Sequence, residues 1–307
     1  MHNMSLHHKP NNHHHNHNRN ITPPPLPTNN NHSTEHSSQN ENEHCPFARS
    51  VREYAYHETK NSREHMQDLH KIIDKYTNDN SKGLFTLYDG HGPNTTHFTY
   101  ARDRLPELFA RFLKKTRNNI EQSFIFTLQQ LDDEIRLFRS NDTSGSTITI
   151  VYIYKDVNGS TCISCANLGD TKAIVVQCNN TYKVITTEHK CTNDKEVQRI
   201  KKLGGMVFNS RLFGQLALSR ALGDYSLKPY GLSATPSMYK YNVSEKDTYV
   251  VIASDGVWDV VSEEEVSKMC NDVNRKGNCK IIAKDIVDMA ITKGSSDNIS
   301  VIVIRLN

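Results

Sequence analysis

The sequence predicts an α+β fold in which helices cover a sheet or a pair of sheets. Three observations carry this reading. Apolar strand-like runs between residues 147 and 187 follow one another through tight turns, two stretches before them have helical spacing, and further helix-like stretches accompany two late strand-like runs. With 307 residues, 23% of them charged, and a formal net charge of +3, the chain has the make-up of an ordinary soluble globular protein. Neither nucleic acid nor a membrane is indicated as a partner by this balance.

Residues 1–48 differ from everything after them. The stretch "HHKPNNHHHNHNRNITPPPLPTNNNHSTEHSSQNENEH" offers too little apolar surface to offset its conformational entropy and is expected to be a disordered Asn/His/Pro-rich tail. Its histidines invite a metal-binding reading, and "TPPPLP" a polyproline-ligand reading. A low-complexity tail with no specific role is the plainer account.

The apolar run "LFTLYDGHGP" (84–93) reads as a buried strand ending abruptly in polar residues. Helical spacing marks 97–115 and 118–138, with Pro106 expected to kink or divide the first. Strand-like runs follow at 147–154, 161–167, 172–178 and 182–187, joined by Asn-Gly, Gly-Asp and Asn-Asn turns. Connections that short make an antiparallel meander, because parallel neighbours need longer crossovers. Helices are expected at 193–203, 262–274 and 278–292, and strands at 247–254 and 298–306. The seven cysteines are scattered, and alternation along a strand would put the two of the single C-x-x-C, Cys162 and Cys165, on opposite faces. They read as reduced thiols of a cytoplasmic protein, with the nucleus left open. No leader, membrane span or myristoylation signal is expected, residue 2 being His.

Four strand-like runs are bordered by an aspartate in a turn: Asp89 after "LFTLY", Asp170 after "CANLG", Asp255 after "VVIAS" and Asp297 before "NISVIVI". Aspartate is a common turn residue, and for any one of them that suffices. For Asp89 and Asp255, which come directly off a strand and precede glycine, function is the better reading. Should these ends share one rim, the carboxylates converge, and each pair at 4 Å repels by roughly 4 kcal/mol at an effective dielectric near 20. Protons or cations must neutralise them. All the candidate ligands are oxygens, which favours Mg²⁺ or Mn²⁺ over Zn²⁺.

These residues resemble a known pattern. "DGHG" (89–92), "SGST" (144–147), "NLGDTKA" (167–173), "EVQRIKKLGG" (196–205), "LALSRALGD" (216–224), "ASDGVWDVVSEEE" (253–265) and "SSDNISVIVI" (295–304) occur in the order found in the metal-dependent PP2C (PPM) protein serine/threonine phosphatases. The resemblance implies one PP2C-like catalytic domain over 49–307, built as a central sandwich of two antiparallel β-sheets flanked by α-helices on both faces. It also implies two Mg²⁺ or Mn²⁺ ions in a cleft at one end, and phosphorylated proteins as substrates. Asp89 resembles the carboxylate bridging both ions, Gly90 the residue whose carbonyl faces the second, and Asp255 and Asp297 further ligands of the first. Asp170 and Asp259 match positions holding a third, weaker ion. Water bridging the ions would be the nucleophile, and His91 would protonate the departing alkoxide. In "NSREHMQDLH" (61–70), Arg63 falls where an arginine grips the phosphate and Asp68 matches another metal-site acid.

The chain departs from the pattern at Gln67, where the family has glutamate. An amide oxygen can coordinate weakly but brings no charge, so the second ion should bind less tightly. The alternative reading is a pseudophosphatase, the same fold kept as a binding or regulatory module. Milder departures are Pro93 for a glycine, Glu188 for an aspartate and Cys191 for a proline. "EVQRIKKLGG" is expected to be a helix with a glycine C-cap leading into a flap beside the cleft. Ser219, Arg220 and Asp224 are expected in a buried hydrogen-bond network, and Trp258 in the core. A monomer is the default.

Overall fold

A computed structural model of the chain describes residues 50–94, 96–139, 143–275 and 277–306. The tail expected over residues 1–48, with its His-rich and "TPPPLP" stretches, lies outside the described residues. The strands are β1 (Glu53–Thr59), β2 (Asp68–Asp74), β3 (Lys82–His91), β4 (Gly145–Ser146), β5 (Ile148–Lys155), β6 (Thr161–Leu168), β7 (Lys172–Gln177), β8 (Tyr182–Val184), β9 (Val207–Phe208), β10 (Arg211–Leu212), β11 (Leu222–Gly223), β12 (Ser237–Asn242), β13 (Asp247–Ala253) and β14 (Ile299–Arg305). The helices are α1 (Thr96–Lys115), α2 (Ile120–Arg139), α3 (Asp194–Lys202), α4 (Asp255–Trp258), α5 (Glu263–Asn271) and α6 (Cys279–Thr292). None of them is long and apolar enough to cross a membrane.

Two antiparallel sheets form the centre. One runs β1-β14-β13-β7-β8, the other β11-β4-β3-β5-β6-β12 with β2 also paired to β3. Three apolar clusters show how they stack. Leu84, Tyr88, Ile150 and Tyr152 meet Phe98, Leu105, Phe109 and Leu128 of α1 and α2. Phe85, Leu87, Val151 and Ile153 face inward onto Val175, Val250, Ile252, Ile302 and Ile304 of the other sheet. Ile174, Val176, Val251 and Val303 face outward onto Val266, Ile282, Ile286 and Val287 of α5 and α6. The layers are thus helix, sheet, sheet, helix, as the resemblance implies. Because both faces of β13 are covered, its residues read as a nearly continuous apolar run rather than an alternation.

Local chemistry sets the helix ends. Ser262 opens α5 with a capping box, its side chain accepting from the N–H of Glu265 while the Glu265 carboxylate accepts from the N–H of Ser262. Asn193 caps α3 by accepting from the N–H of Lys195. Past its other end Gly204 takes φ 80°, the expected glycine stop. Pro106 does not divide α1, which runs from Thr96 to Lys115 with Pro106 inside. The lost backbone bond is offset by burial, since Phe98, Ala101, Leu105, Leu108 and Phe109 on one face of this helix are fully buried.

Candidate metal centre

Three carboxylates from distant parts of the chain meet at one end of the sandwich. Asp89 lies near the end of β3, Asp170 in the turn between β6 and β7, and Asp255 at the start of α4 directly after β13. One oxygen from each lies within 4.8 Å of the others. The backbone of Asp89 is pinned on both sides: its N–H donates to Thr147 Oγ1 (3.1 Å), and its carbonyl accepts from Thr147 N–H (2.9 Å) and Ser146 Oγ (3.1 Å). Asp255 is placed by its neighbour, because a Cβ on Gly256 would stand 2.0 Å from the Asn298 carbonyl oxygen. Only glycine lets the turn at α4 press against the segment entering β14.

Gathering these acids has an electrostatic cost. Burial pushes the Asp89 carboxyl well above the usual carboxylate range, and Asp68, Asp255, Asp170 and Asp297 add to the shift. Asp255 is pushed up to about 7 by burial first, then by Asp170, Asp297 and Asp259, with the hydrogen bond to Asp89 acting against them. Asp170 is raised by burial, with Lys190 pulling the other way. Three half-buried or buried oxygen ligands that resist ionising together fit a hard divalent cation, whose charge removes the repulsion; among the described residues no sulfur or imidazole joins them.

The other sequence-derived candidates surround this group at different depths. Asp297 is not one of the three; it accepts from Arg63 Nη2 at 2.7 Å, yet its charge is felt by both Asp89 and Asp255. Asp68 sits opposite Asp89 in the β2–β3 register, 3% exposed, and accepts from Ser254 Oγ at 2.9 Å. Burial raises it to about 6 despite that bond. Gln67 donates from Nε2 to the Gly92 carbonyl (2.9 Å), and its backbone carbonyl accepts from Gly90 N–H (3.2 Å). Gly90 itself pairs with Ser146 across β3 and β4. His91 Nε2 lies 2.8 Å from Asp224 Oδ2. Asp259 stands at the rim, its side chain 59% exposed.

Three neighbours of the site were missed, and a fourth, Asp224, was given other partners. Lys190 places Nζ 3.1 Å from Asp259 Oδ1 and 3.6 Å from Asp170 Oδ2. Asp224 was expected in a buried network with Ser219 and Arg220; those two do bond Glu196, at 2.7 and 2.6 Å, but Asp224 instead holds His91. Ser254 supports Asp68 while accepting from Ser300 N–H (3.1 Å). His189 accepts from Gly169 N–H at Nδ1 (3.1 Å) and meets Ser237 Oγ at Nε2 (2.7 Å), holding the turn that carries Asp170. Burial, then Arg220, pushes its pKa down to about 3, so it works as a neutral ring. The adjacent letters "EHKC" and "LGD" were the available signals, but nothing in one sequence says which acid each would meet. Trp258 packs against the outer cluster only partly buried, its Nε1 donating to the Ala253 carbonyl at 2.9 Å.

Comparison with known proteins agrees with this geometry. The family model described as Protein phosphatase 2C matches residues 52–299. Protein phosphatase 1L of Bos taurus is 31% identical over 266 residues, covering 82% of this chain and 71% of that protein. A probable protein phosphatase 2C of Arabidopsis thaliana is 28% identical over 262 residues, covering 82% and 67%. Among solved structures, a C. elegans sex determining protein superposes with a TM-score of 0.73 at 25% identity over 84% of this chain, which spans 65% of that one. A serine-threonine phosphatase 2C from Toxoplasma gondii gives 0.72 at 20% identity, covering 85% and 96%, and supports the fold alone. A sandwich of this topology, an acidic cluster at its end and these matches together place the chain in the protein phosphatase 2C family of metal-dependent serine/threonine phosphatases.

Proposed function

We propose that this chain removes phosphate from phosphoserine and phosphothreonine in proteins at the Asp89, Asp170 and Asp255 cluster, with two Mg²⁺ or Mn²⁺ ions. The observation that carries the reading is the approach of those three oxygen ligands to within 4.8 Å. When bound, the ions supply a water acidic enough to attack phosphorus and positive charge for the phosphoryl oxygens. Asp89 and Asp255 would hold the ions, joined by the Gly90 carbonyl and Asp297, and Asp68, opposite Asp89 in the β2–β3 register, would add negative charge once the ions are bound. Arg63, now at the edge of the cluster on Asp297, offers its planar fork to the phosphate oxygens. His91 gives a proton to the departing Ser or Thr oxygen. With Nε2 held by Asp224, Nδ1 is the nitrogen that delivers it.

Gln67 brings no charge to the second ion, and its Nε2 is engaged by the Gly92 carbonyl. The second ion is therefore held weakly. The same reading takes residues 49–307 as one catalytic domain acting as a cytoplasmic monomer on phosphorylated proteins, with the nucleus open as a second compartment. Turnover of a phosphothreonine peptide and of an aryl phosphate, each measured across a Mn²⁺ and Mg²⁺ titration, tests it. Expected are activity that needs high metal, a lower metal requirement in Gln67→Glu and loss of activity in Asp89→Asn. Wild-type protein inactive at every metal level but rescued by Gln67→Glu would instead favour the pseudophosphatase.

A further inference from the structure

We infer that a cavity at the end of the sandwich away from the metal centre is a second binding site, which takes a planar aromatic carboxylate with its ring against Tyr154 and its carboxylate on the Ser164 hydroxyl and the Lys240 ammonium. The cavity holds about 520 Å³, within the range usual for small-molecule sites. It lies where the N-terminal turn of α2 meets the β3-β5-β6-β12 sheet. Lys82, which lines it, and Asp89 stand toward opposite ends of β3, seven residues and roughly 23 Å apart. Two sites so separated cannot share one small ligand.

Strand register builds the floor. Tyr152 of β5 stands opposite Ser164 of β6, and Ser164 opposite Lys240 of β12, so the three share one row across the sheet. Tyr154, two residues along β5, shares the face of Tyr152, and their rings stack with centroids 5.0 Å apart. Tyr152 and Phe124 belong to the apolar cluster under α1 and α2, with Tyr154 and Met238 packed against it. The short side chain of Ser164 leaves this row open between its larger neighbours. Hydroxyls on the floor lack good partners. Tyr152 is 3% exposed and Ser164 6%. Among the described residues the Tyr152 hydroxyl meets no hydrogen-bonding group, and Ser164 Oγ reaches only the Tyr154 hydroxyl, at 3.5 Å against the usual value of about 2.8 Å. Charge selects the ligand. Lys82 is paired with Asp79 (2.9 Å), Lys155 donates to Thr161 Oγ1 (2.8 Å), and the Asp156 carboxylate accepts from the N–H groups of Asn158 and Ser160 (2.9 and 2.8 Å). Lys240 has no carboxylate partner among the described residues, while Glu121, exposed in the first turn of α2, discourages a second negative charge. One such cation beside two hydroxyls suits a carboxylate better than a phosphate dianion, and the tyrosine rings suit a flat aromatic body.

Isothermal titration calorimetry of the full chain with cinnamate, in EDTA, reads this site without turnover. Saturable binding of one cinnamate per chain is expected, with uncharged cinnamamide weaker by about 10-fold. Lys240→Ala, which removes an exposed side chain, is expected to weaken cinnamate by about 10-fold as well. Ser164→Leu fills the row and is expected to abolish binding; circular dichroism checks that it is folded, and Lys240→Ala carries the test if it is not. Added Mn²⁺ is expected to leave the affinity unchanged. No saturation at millimolar cinnamate, equal affinity for cinnamamide, or unchanged affinity in Lys240→Ala would overturn the inference. Binding that appears only with Mn²⁺ would also overturn it, by placing the carboxylate at the metal centre, and would leave the proposed function standing.

Discussion

Gly145 shows at the scale of one residue why "SGST" belongs to a catalytic pattern. A Cβ there would fall 1.7 Å from Asp224 Oδ2 and 2.4 Å from His91 Nε2, so the glycine is the floor on which His91 and its carboxylate partner rest. In the proposed mechanism Asp224 would act through His91, as a positioning residue. Asp224→Ala is expected to cut kcat on a phosphothreonine peptide by about 10- to 100-fold, less than the 10²- to 10⁴-fold a general acid supplies. On an aryl phosphate, whose leaving group departs without a proton, the loss should be several-fold smaller; equal losses on both substrates would refute the positioning role. Gln67→Glu has two opposed effects at the same rim: it adds a charge for the second ion and removes the hydrogen bond to the Gly92 carbonyl. The charge dominates once metal is present, because a carboxylate about 4 Å from a cation gains several kcal/mol at an effective dielectric near 20, against about 1 kcal/mol for the bond. Asp89 and Asp255 were legible as candidates from strand ends followed by glycine, and His91 from the family resemblance. The contacts of Lys190 with Asp170 and of Asp224 with His91 were not, because those partners lie 20 and 133 positions away along the chain.

At the scale of elements, legibility followed periodicity. The long helices and the meander from β5 to β8 have strong apolar patterns and short turns, and they stand within a few residues of where the sequence puts them. β1 and β2 were passed over. Their runs, "EYAYHET" and "DLHKIID", mix charged and aromatic residues, and become strands only by pairing with β14 and β3. Element ends depend on single side chains. Ser262→Ala removes the acceptor for Glu265 N–H and half of the α5 capping box, with an expected loss of about 1 kcal/mol in urea unfolding. In the core between α1, α2 and their sheet, Phe109 and Phe124 stack with centroids 4.6 Å apart, and Phe109 is fully buried. Phe109→Ala should cost about 3–5 kcal/mol through the cavity it leaves, a loss visible as a lower urea midpoint. A change under about 1 kcal/mol would mean that the layer repacks freely.

For the whole molecule, the acidic cluster ties stability to pH and to metal. Asp255 and Asp68, at about 7 and about 6 in the folded chain, hold protons there that the unfolded chain releases near 3.8. Their protonated forms favour the folded state below pH 4, and that contribution is lost as pH rises through 6 to 7. In EDTA the melting temperature is therefore expected to fall between pH 5 and pH 8, and saturating Mn²⁺, by replacing the protons, to remove most of the fall. Parallel melting curves with and without metal across that range would show that the acids are not gathered as the structure has them. The sequence by itself determined the α+β class, most of the elements and the identity of the acids, because apolar period, turn chemistry and strand-end carboxylates are local properties of the chain. Tertiary structure alone decided which acids meet, that Asp297 pairs with Arg63, and that Lys190 lies beside Asp170 and Asp224 beside His91. Those choices depend on how two sheets close on each other, and no local preference encodes a distance between residues far apart in the chain.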